Sequence, residues 1–342
     1  MIFPILGGIK ALLRAPITWA LFFINVFVFT ITFAESEKSQ SDLETFMHDK
    51  TFSEAEGLVF AKYIESHPER YSKTMRTLAG QSLGYMQADR RQLLGSLSMR
   101  DSHFLAEADR MPAALDEVQH KWWLDKFRDL KMVREVHPSY SLGMTQSTQN
   151  FVSAITYQFS HSGFSHLVGN MLFFLIFAST LETMIGGLAL LLIYLASGAF
   201  AALFFLVASE ASAIPLIGAS GAISGIMAFF CTLVWRKNVR YAYFLFLPRK
   251  DFAGIINLPA WLTLAFWVLS DLSGHWSTPT ELGGVAYSAH LGGELCGVVG
   301  ALTLIAMRKF KNEALPSADI AVATWAETHH SALAGDNLEQ VN

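Results

Sequence analysis

Residues 187–207 read GLALLLIYLASGAFAALFFLV, twenty-one positions without a single charged side chain. At 1.5 Å per residue a helix of that length measures about 31 Å, the thickness of a bilayer's hydrocarbon. Apolar residues lie on all its faces, whereas a helix on the surface of a soluble domain keeps a polar side. The stretch therefore reads as a membrane span. Five others resemble it, at 15–34, 166–184, 216–235, 257–272 and 286–307. The one at 257–272 is short and carries Pro259, so an interfacial piece, Tyr241 to Leu247, is expected ahead of it. Composition agrees: of 342 residues 52% are hydrophobic and only 16% charged, against about 25% charged in ordinary soluble domains. These figures argue against a soluble globular protein, and they exclude a disordered chain and a nucleic-acid binder, the last by a net charge of −4. The two cysteines, Cys231 and Cys296, both fall in spans, so no disulfide framework is available.

The charges are sharply partitioned. Of 54 charged residues, 33 lie between Glu35 and Glu135. Outside that block only Lys10, Arg14, Arg236, Lys237, Arg240, Arg249, Lys250, Arg308, Lys309 and Lys311 are basic. With a cytoplasmic N-terminus and six crossings, all ten fall on the cytoplasmic side, as the positive-inside rule requires. Glu210, Asp271 and Glu281 then lie at or near the outer face. Four regions follow: a cytoplasmic N-terminus and first span (1–34), an extracytoplasmic, mostly helical loop domain (35–150), a core of spans two to six (151–312), and a flexible cytoplasmic tail (313–342). A second reading of the first stretch also fits. Lys10 and Arg14, an apolar run and Thr32-Phe33-Ala34 together look like a signal peptide, and either version exports 35–150.

Within the exported segment, Ser53 and Glu56 have capping-box spacing, and His67-Pro68 ends the helix that they start. Further helices are expected near 72–86, 101–110 and 113–131, with Arg90-Arg91 on a solvated face. No chemical motif occurs there.

Polar side chains inside spans are costly and are functional candidates. His161, His166 and Asn170 stand at the entry to the second span, His166 and Asn170 on one helix face. Gly218-Ala-Ser220-Gly221 opens the fourth, where free N–H groups and the helix dipole could stabilise an oxyanion. Ala289-His290-Leu-Gly-Gly293-Glu294 opens the sixth, and a histidine there could act as general base. Each cluster alone is also readable as packing: hydrogen-bonding residues between helices, or small residues at a helix contact. What joins them is depth. Asn170, Ser220 and His290 each lie about four residues, roughly 6 Å, inside the outer end of their span. Gly221, Gly225, Gly293 and Gly297 would let the fourth and sixth helices approach until Ser220 Oγ comes within hydrogen-bond reach of His290.

From about Val152 to Arg308 the sequence resembles the rhomboid family of intramembrane serine proteases. The resemblance rests on His161, His166 and Asn170 at family spacing, Met171-Leu172, Glu182 twelve residues after Asn170, Gly218-Ala-Ser220-Gly221, and Ala289-His290-Leu-Gly-Gly293. It implies an all-α polytopic membrane protein, a six-helix rhomboid-like bundle with a helical insertion between helices 1 and 2. The implied activity is that of an intramembrane serine endopeptidase, cutting transmembrane protein substrates in or next to their spans near the outer face. Carried over by position, Ser220 would be nucleophile and His290 general base, a dyad without an acid. Asn170, His166 and the Ser220 N–H would line the oxyanion hole, with His161, Gly218 and Gly221 in support. No metal or cofactor is expected, and the partners would be those substrates and the bilayer, in a bacterial inner membrane. The alternative is a catalytically inactive relative that binds membrane clients. Three positions depart from the family pattern: Val152-Ser153 where a Trp-Arg pair is common, Ala178 where Gly follows Phe, and Ser224 where an aromatic residue packs on the histidine. Glu294, one turn below His290, reads either as a carboxyl paired with a neighbouring helix or as a group that biases His290.

Overall fold

The computed structural model of the chain describes residues 2–6, 8–84, 87–111, 114–145, 150–208, 214–244, 253–277 and 285–311. The expected tail at 313–342 lies outside them, as do Glu210, Arg249, Lys250 and Glu281. The elements are β1 (Ile2–Ile5), α1 (Gly8–Leu13), α2 (Pro16–His48), α3 (Lys50–Ser66), α4 (Lys73–Ser82), α5 (Ala88–Ser98), α6 (Ser102–Glu107), α7 (Glu117–Val136), α8 (Pro138–Ser141), α9 (Ser153–Thr156), α10 (Phe164–Ile185), α11 (Gly187–Ala208), α12 (Ser220–Leu233), β2 (Asn238–Phe244), β3 (Ala253–Pro259), α13 (Ala260–Ser277) and α14 (Tyr287–Phe310).

The six apolar stretches become α2 and α10–α14, and the chain is a multi-pass, mainly helical membrane protein. Among the described residues α2, α10, α11 and α14 are long and apolar enough to cross a bilayer unaided. α12 has 14 residues, about 21 Å, too short to cross alone. It lies inside the bundle, touching α10, α11, α13 and α14. The bundle core around it holds Phe174, Phe177, Tyr194, Ile226 and Phe230, all buried. Phe23, Phe27, Leu192, Phe266 and Val299 face outward, as lipid solvation allows.

One end of the bundle is tied together by a carboxylate. α2 starts with Pro16 and has no capping side chain of its own. Glu182, near the end of α10, supplies one: it accepts from the N–H of Ile17 at 2.9 Å and from the N–H and hydroxyl of Thr18, each at 2.7 Å. A negative group there satisfies orphan donors and the helix dipole at once. Lys10 and Arg14 flank the same spot. Gly186, with φ +88°, turns the chain from α10 into α11, a conformation that a side chain would strain.

The same end carries a three-stranded antiparallel sheet, order β1-β2-β3, with Ile5 opposite Arg240 and Asn238 opposite Pro259. The piece expected at Tyr241 to Leu247 is a strand as far as Phe244, its remainder lying outside the described residues, and one boundary is corrected: the fifth span starts at Ala260, after Pro259 has ended β3. The cause is alternation: Val239 and Tyr241 are buried against the bundle, and the Tyr241 hydroxyl donates to Thr263 Oγ1 at 2.9 Å.

At the opposite end α2 runs past residue 34 to His48, because Glu, Lys and Gln continue a helix readily. Leu43 and Phe46 on its far part pack on a second core formed by α3–α7, with Phe52, Phe60, Tyr63, Phe104, Trp123 and Phe127 at its centre. The expected capping box is absent here. Asp49, not Ser53, caps α3, accepting from the N–H of Phe52 at 3.0 Å. Glu56 instead lies at the centre of the core. His67 does end α3. A helix at 88–98 was not expected. Within it Arg91 is no solvated residue: its guanidinium donates to the carbonyls of Ser82 and Gly84. An open groove of about 850 Å³ separates α6–α8 from residues 150–156.

Candidate active site

Three segments converge at the end of the bundle next to the α3–α7 module. The first is the start of α10. Gly163 leads in with extended backbone, and the Ser162 hydroxyl meets His166 Nδ1 at 3.1 Å, which leaves the other ring nitrogen free to face inward. One turn on, Asn170 donates through Nδ2 to the carbonyl of His166 at 2.9 Å. Its second amide hydrogen is unused by that bond. His161 stands edge-on behind His166, ring centroids 5.1 Å apart, buried and with neither ring nitrogen partnered by protein.

The second segment is the approach to α12. Residues 214–219 are pinned by a two-bond bridge between Met144 and Leu216 and by the Gly218 N–H donating to the Tyr157 carbonyl at 2.9 Å, and Ala219 already has helical backbone angles. Gly218 takes φ +102°, so a side chain would be strained there. It would also collide: a methyl on Gly218 would sit 2.8 Å from Cε1 and 2.9 Å from Nε2 of His166, and 3.9 Å from Asn170 Nδ2. Gly218 thus lets the His166 ring, with Asn170 beyond it, lie close against the backbone that leads into Ser220. Ser220 is the first residue of α12, where the leading N–H groups have no acceptor within the helix.

The third segment is the start of α14, one turn of which precedes His290. Added methyls at Gly293 and Gly297 would run into the carbonyls of Gly221 and Gly225, so the two helices touch backbone to backbone. The Ala289 carbonyl is 3.5 Å from where a Gly221 methyl would lie. Ser220 and His290 are therefore carried on adjoining backbones. Their side chains are not hydrogen-bonded to each other, contrary to expectation; His290 Nδ1 meets Asp271 on α13.

Residues 148–307, about 47% of the chain, match the family model for the Rhomboid domain. The chain carries a rhomboid domain. It is also 32% identical over 152 residues to Rhomboid protein 1, mitochondrial, of Saccharomyces cerevisiae, an alignment that covers 43% of this chain and 40% of the yeast protein. The chain therefore matches less than half the length of that relative.

Two departures of this rhomboid domain from the expected pattern have structural counterparts. At Val152-Ser153 the rim is secured by a reciprocal pair, Ser153 N–H to Asn150 Oδ1 at 2.9 Å and Asn150 N–H to Ser153 Oγ at 3.0 Å. Thr156 adds a bond to the Leu142 carbonyl at 2.7 Å. The aromatic neighbour of His290 is not at position 224 but is Tyr287 on its own helix, edge-on at 6.3 Å.

One residue escaped sequence reasoning. Asp271, on α13, places Oδ1 3.3 Å from His290 Nδ1, both side chains largely buried at 15% and 17% exposure. Glu294, also buried, faces Asp271 from α14, and its Oε2 has no partner. The signal was present: an ionisable residue inside a predicted span deserves a partner, and Asp271 had been assigned only to the outer rim.

Proposed function

We propose that the rhomboid domain is an intramembrane serine endopeptidase that hydrolyses peptide bonds in or beside transmembrane helices of membrane proteins. The observation that carries this reading is the conformation of Gly218, which sets the approach to the Ser220 helix terminus against His166 and near Asn170, and on this reading a substrate cleft lies between them. A carbonyl entering that cleft meets a hydroxyl for attack on one side and N–H donors on the other. Ser220 Oγ is the nucleophile. His290 turns its free ring nitrogen to the hydroxyl, takes the proton during attack and returns it to the leaving amine. The Ser220 N–H, the second hydrogen of the Asn170 amide and His166 bear the oxyanion, and the acyl-enzyme is then released by water. His161 and Gly221 support this arrangement, one behind His166 and one at the α12–α14 contact.

The ten basic residues outside 35–135 favour an orientation with both termini cytoplasmic and the cleft toward the outer face; the membrane proposed for it is a bacterial inner membrane. The α3–α7 module would then lie outside, above the cleft. Residues 35–150 and 151–312 would be its two principal units.

A second reading, a rhomboid-like protein that holds clients without cutting, draws on the missing hydrogen bond between Ser220 and His290. The test treats purified full-length protein in liposomes with a fluorophosphonate probe and a transmembrane reporter. Labelling at Ser220 and cleavage that Ser220→Ala abolishes are expected. Asn170→Ala should lower kcat about a hundredfold, the usual loss for one oxyanion donor. Wild-type protein that neither labels nor cleaves faster than Ser220→Ala sinks the protease reading.

A further inference from the structure

We propose that Asp271 is the positioning acid of His290, so that the hydrolytic group of this chain is a Ser–His–Asp triad assembled from α12, α14 and α13. This inference rests on the protease reading. Three observations carry it. His290 Nδ1 and Asp271 Oδ1 lie 3.3 Å apart across two helices, a contact that neither helix makes by local geometry. Both side chains are shielded, so solvent competes little for the bond. The ring's other nitrogen is the one left for Ser220, carried on the backbone that touches α14.

Donor chemistry then fixes the ring. An ionised carboxylate can only accept, so Nδ1 must carry the hydrogen and Nε2 must hold the lone pair. That tautomer is the one a base acting through Nε2 needs, and when Nε2 takes the serine proton the carboxylate stabilises the imidazolium. Among the described residues the groups facing the ring are Asp271 from α13, Tyr287 from its own helix and His166 from α10. Glu294 faces Asp271 from beyond. Glu294 thus reaches His290 only through Asp271, one helix removed. Both of its earlier readings meet here: it pairs with a neighbouring helix, and that neighbour holds the histidine.

The experiment compares wild type, Asp271→Asn, Asp271→Glu and Ser220→Ala in liposomes, recording kcat, KM, Ser220 labelling and thermal midpoint. Asn keeps the shape of Asp but can present its amide hydrogens to Nδ1 and so favour the wrong tautomer. The expected result for Asp271→Asn is a fall in kcat of about a hundredfold or more, KM within twofold and an unchanged midpoint. Labelling should slow in parallel, and Asp271→Glu should recover at least tenfold of the loss. The triad is overturned if Asp271→Asn keeps kcat within threefold of wild type. It is equally overturned if activity and midpoint fall together and Asp271→Glu restores neither, because the role is then structural. Failure of the protease reading is distinguishable, since wild type itself would then match Ser220→Ala.

Discussion

Between α3 and α7 helices meet largely through rings, whereas between α12 and α14 they meet through glycines. In the module, Trp123 stacks on Phe127 with centroids 5.2 Å apart, and Phe60, Tyr63 and Phe104 continue the cluster. α3 and α5 do touch at Gly57 and Gly95, but large apolar side chains surround that contact. In the bundle, Gly221, Gly225, Gly293 and Gly297 contribute no side chain at all, and large residues such as Leu295 and Val299 point outward. The difference follows from solvent. In water, burying a large apolar side chain is itself stabilising, by about 1.5–3 kcal/mol. In lipid that gain is absent, and close backbone packing replaces it. The glycines do more than hold helices together, because their contact sets where Ser220 and His290 stand.

The largest effect is therefore expected at the glycine seam. Gly293→Val would drive a side chain into the Gly221 carbonyl, which is backbone and cannot yield as a side-chain tip could. The two helices must part, and a displacement of about 1 Å between reacting groups can cost a hundredfold in rate. Reporter cleavage should fall at least that far. Gly80→Ala on α4, where nothing lies within 4 Å, should leave it unchanged. Wild-type cleavage by Gly293→Val would end the claim that the seam positions the chemistry.

The module should respond differently. Trp123 is fully buried and its indole N–H donates to Glu56 Oε2 at 2.6 Å. Trp123→Ala should cost about 3–5 kcal/mol in module stability, through the lost contacts and a buried carboxyl left with one of its two donors. Hydrogen exchange of the full chain reads it: amides of α3 and α7 should exchange faster while those of α12 keep their protection. If α12 loosens equally, the two regions form one cooperative unit and the contrast drawn above is wrong.

Much of this was legible in the sequence, for reasons that particular residues make clear. Spans announce themselves by composition, and the glycine pairs at 221/225 and 293/297 by spacing, so the bundle and its seam could be anticipated. Asn170, Ser220 and His290 could be grouped by depth. What could not be read was any relation depending on one partner among many distant ones. Ser53 and Glu56 have capping-box spacing, but nothing local reveals that Trp123, sixty-seven residues on, claims the carboxylate. Asp271 and His290 are nineteen apart on different helices, and only the packing of α13 on α14 brings them together. β1 pairs with β2 across more than two hundred residues, a register no short-range pattern encodes.

The buried carboxyls offer the finest form of the comparison, since the module holds one whose titration can be followed in water. Glu56 receives two hydrogen bonds, from Trp123 and from Ser98 at 3.1 Å, yet complete burial outweighs them and pushes its carboxyl up to about 7 from 4.5. A folded-state value above the unfolded one means that the stabilisation is full below about pH 4.5. It declines as pH rises to about 7 and is constant beyond. At 1.36 kcal/mol per unit the decline amounts to at most about 3 kcal/mol. His137, pushed down chiefly by burial, works in the opposite sense between pH 5 and 8, so the quantity that isolates Glu56 is the difference between wild type and Glu56→Gln. The amide oxygen of Gln can still accept from the Trp123 indole but cannot ionise. Module protection measured by hydrogen exchange at pH 5 and at pH 8 should therefore fall less with pH, or rise more, in the variant than in wild type. Equal pH dependence in the two proteins would mean that Glu56 already carries its charge inside the module, and that its two donors outweigh burial.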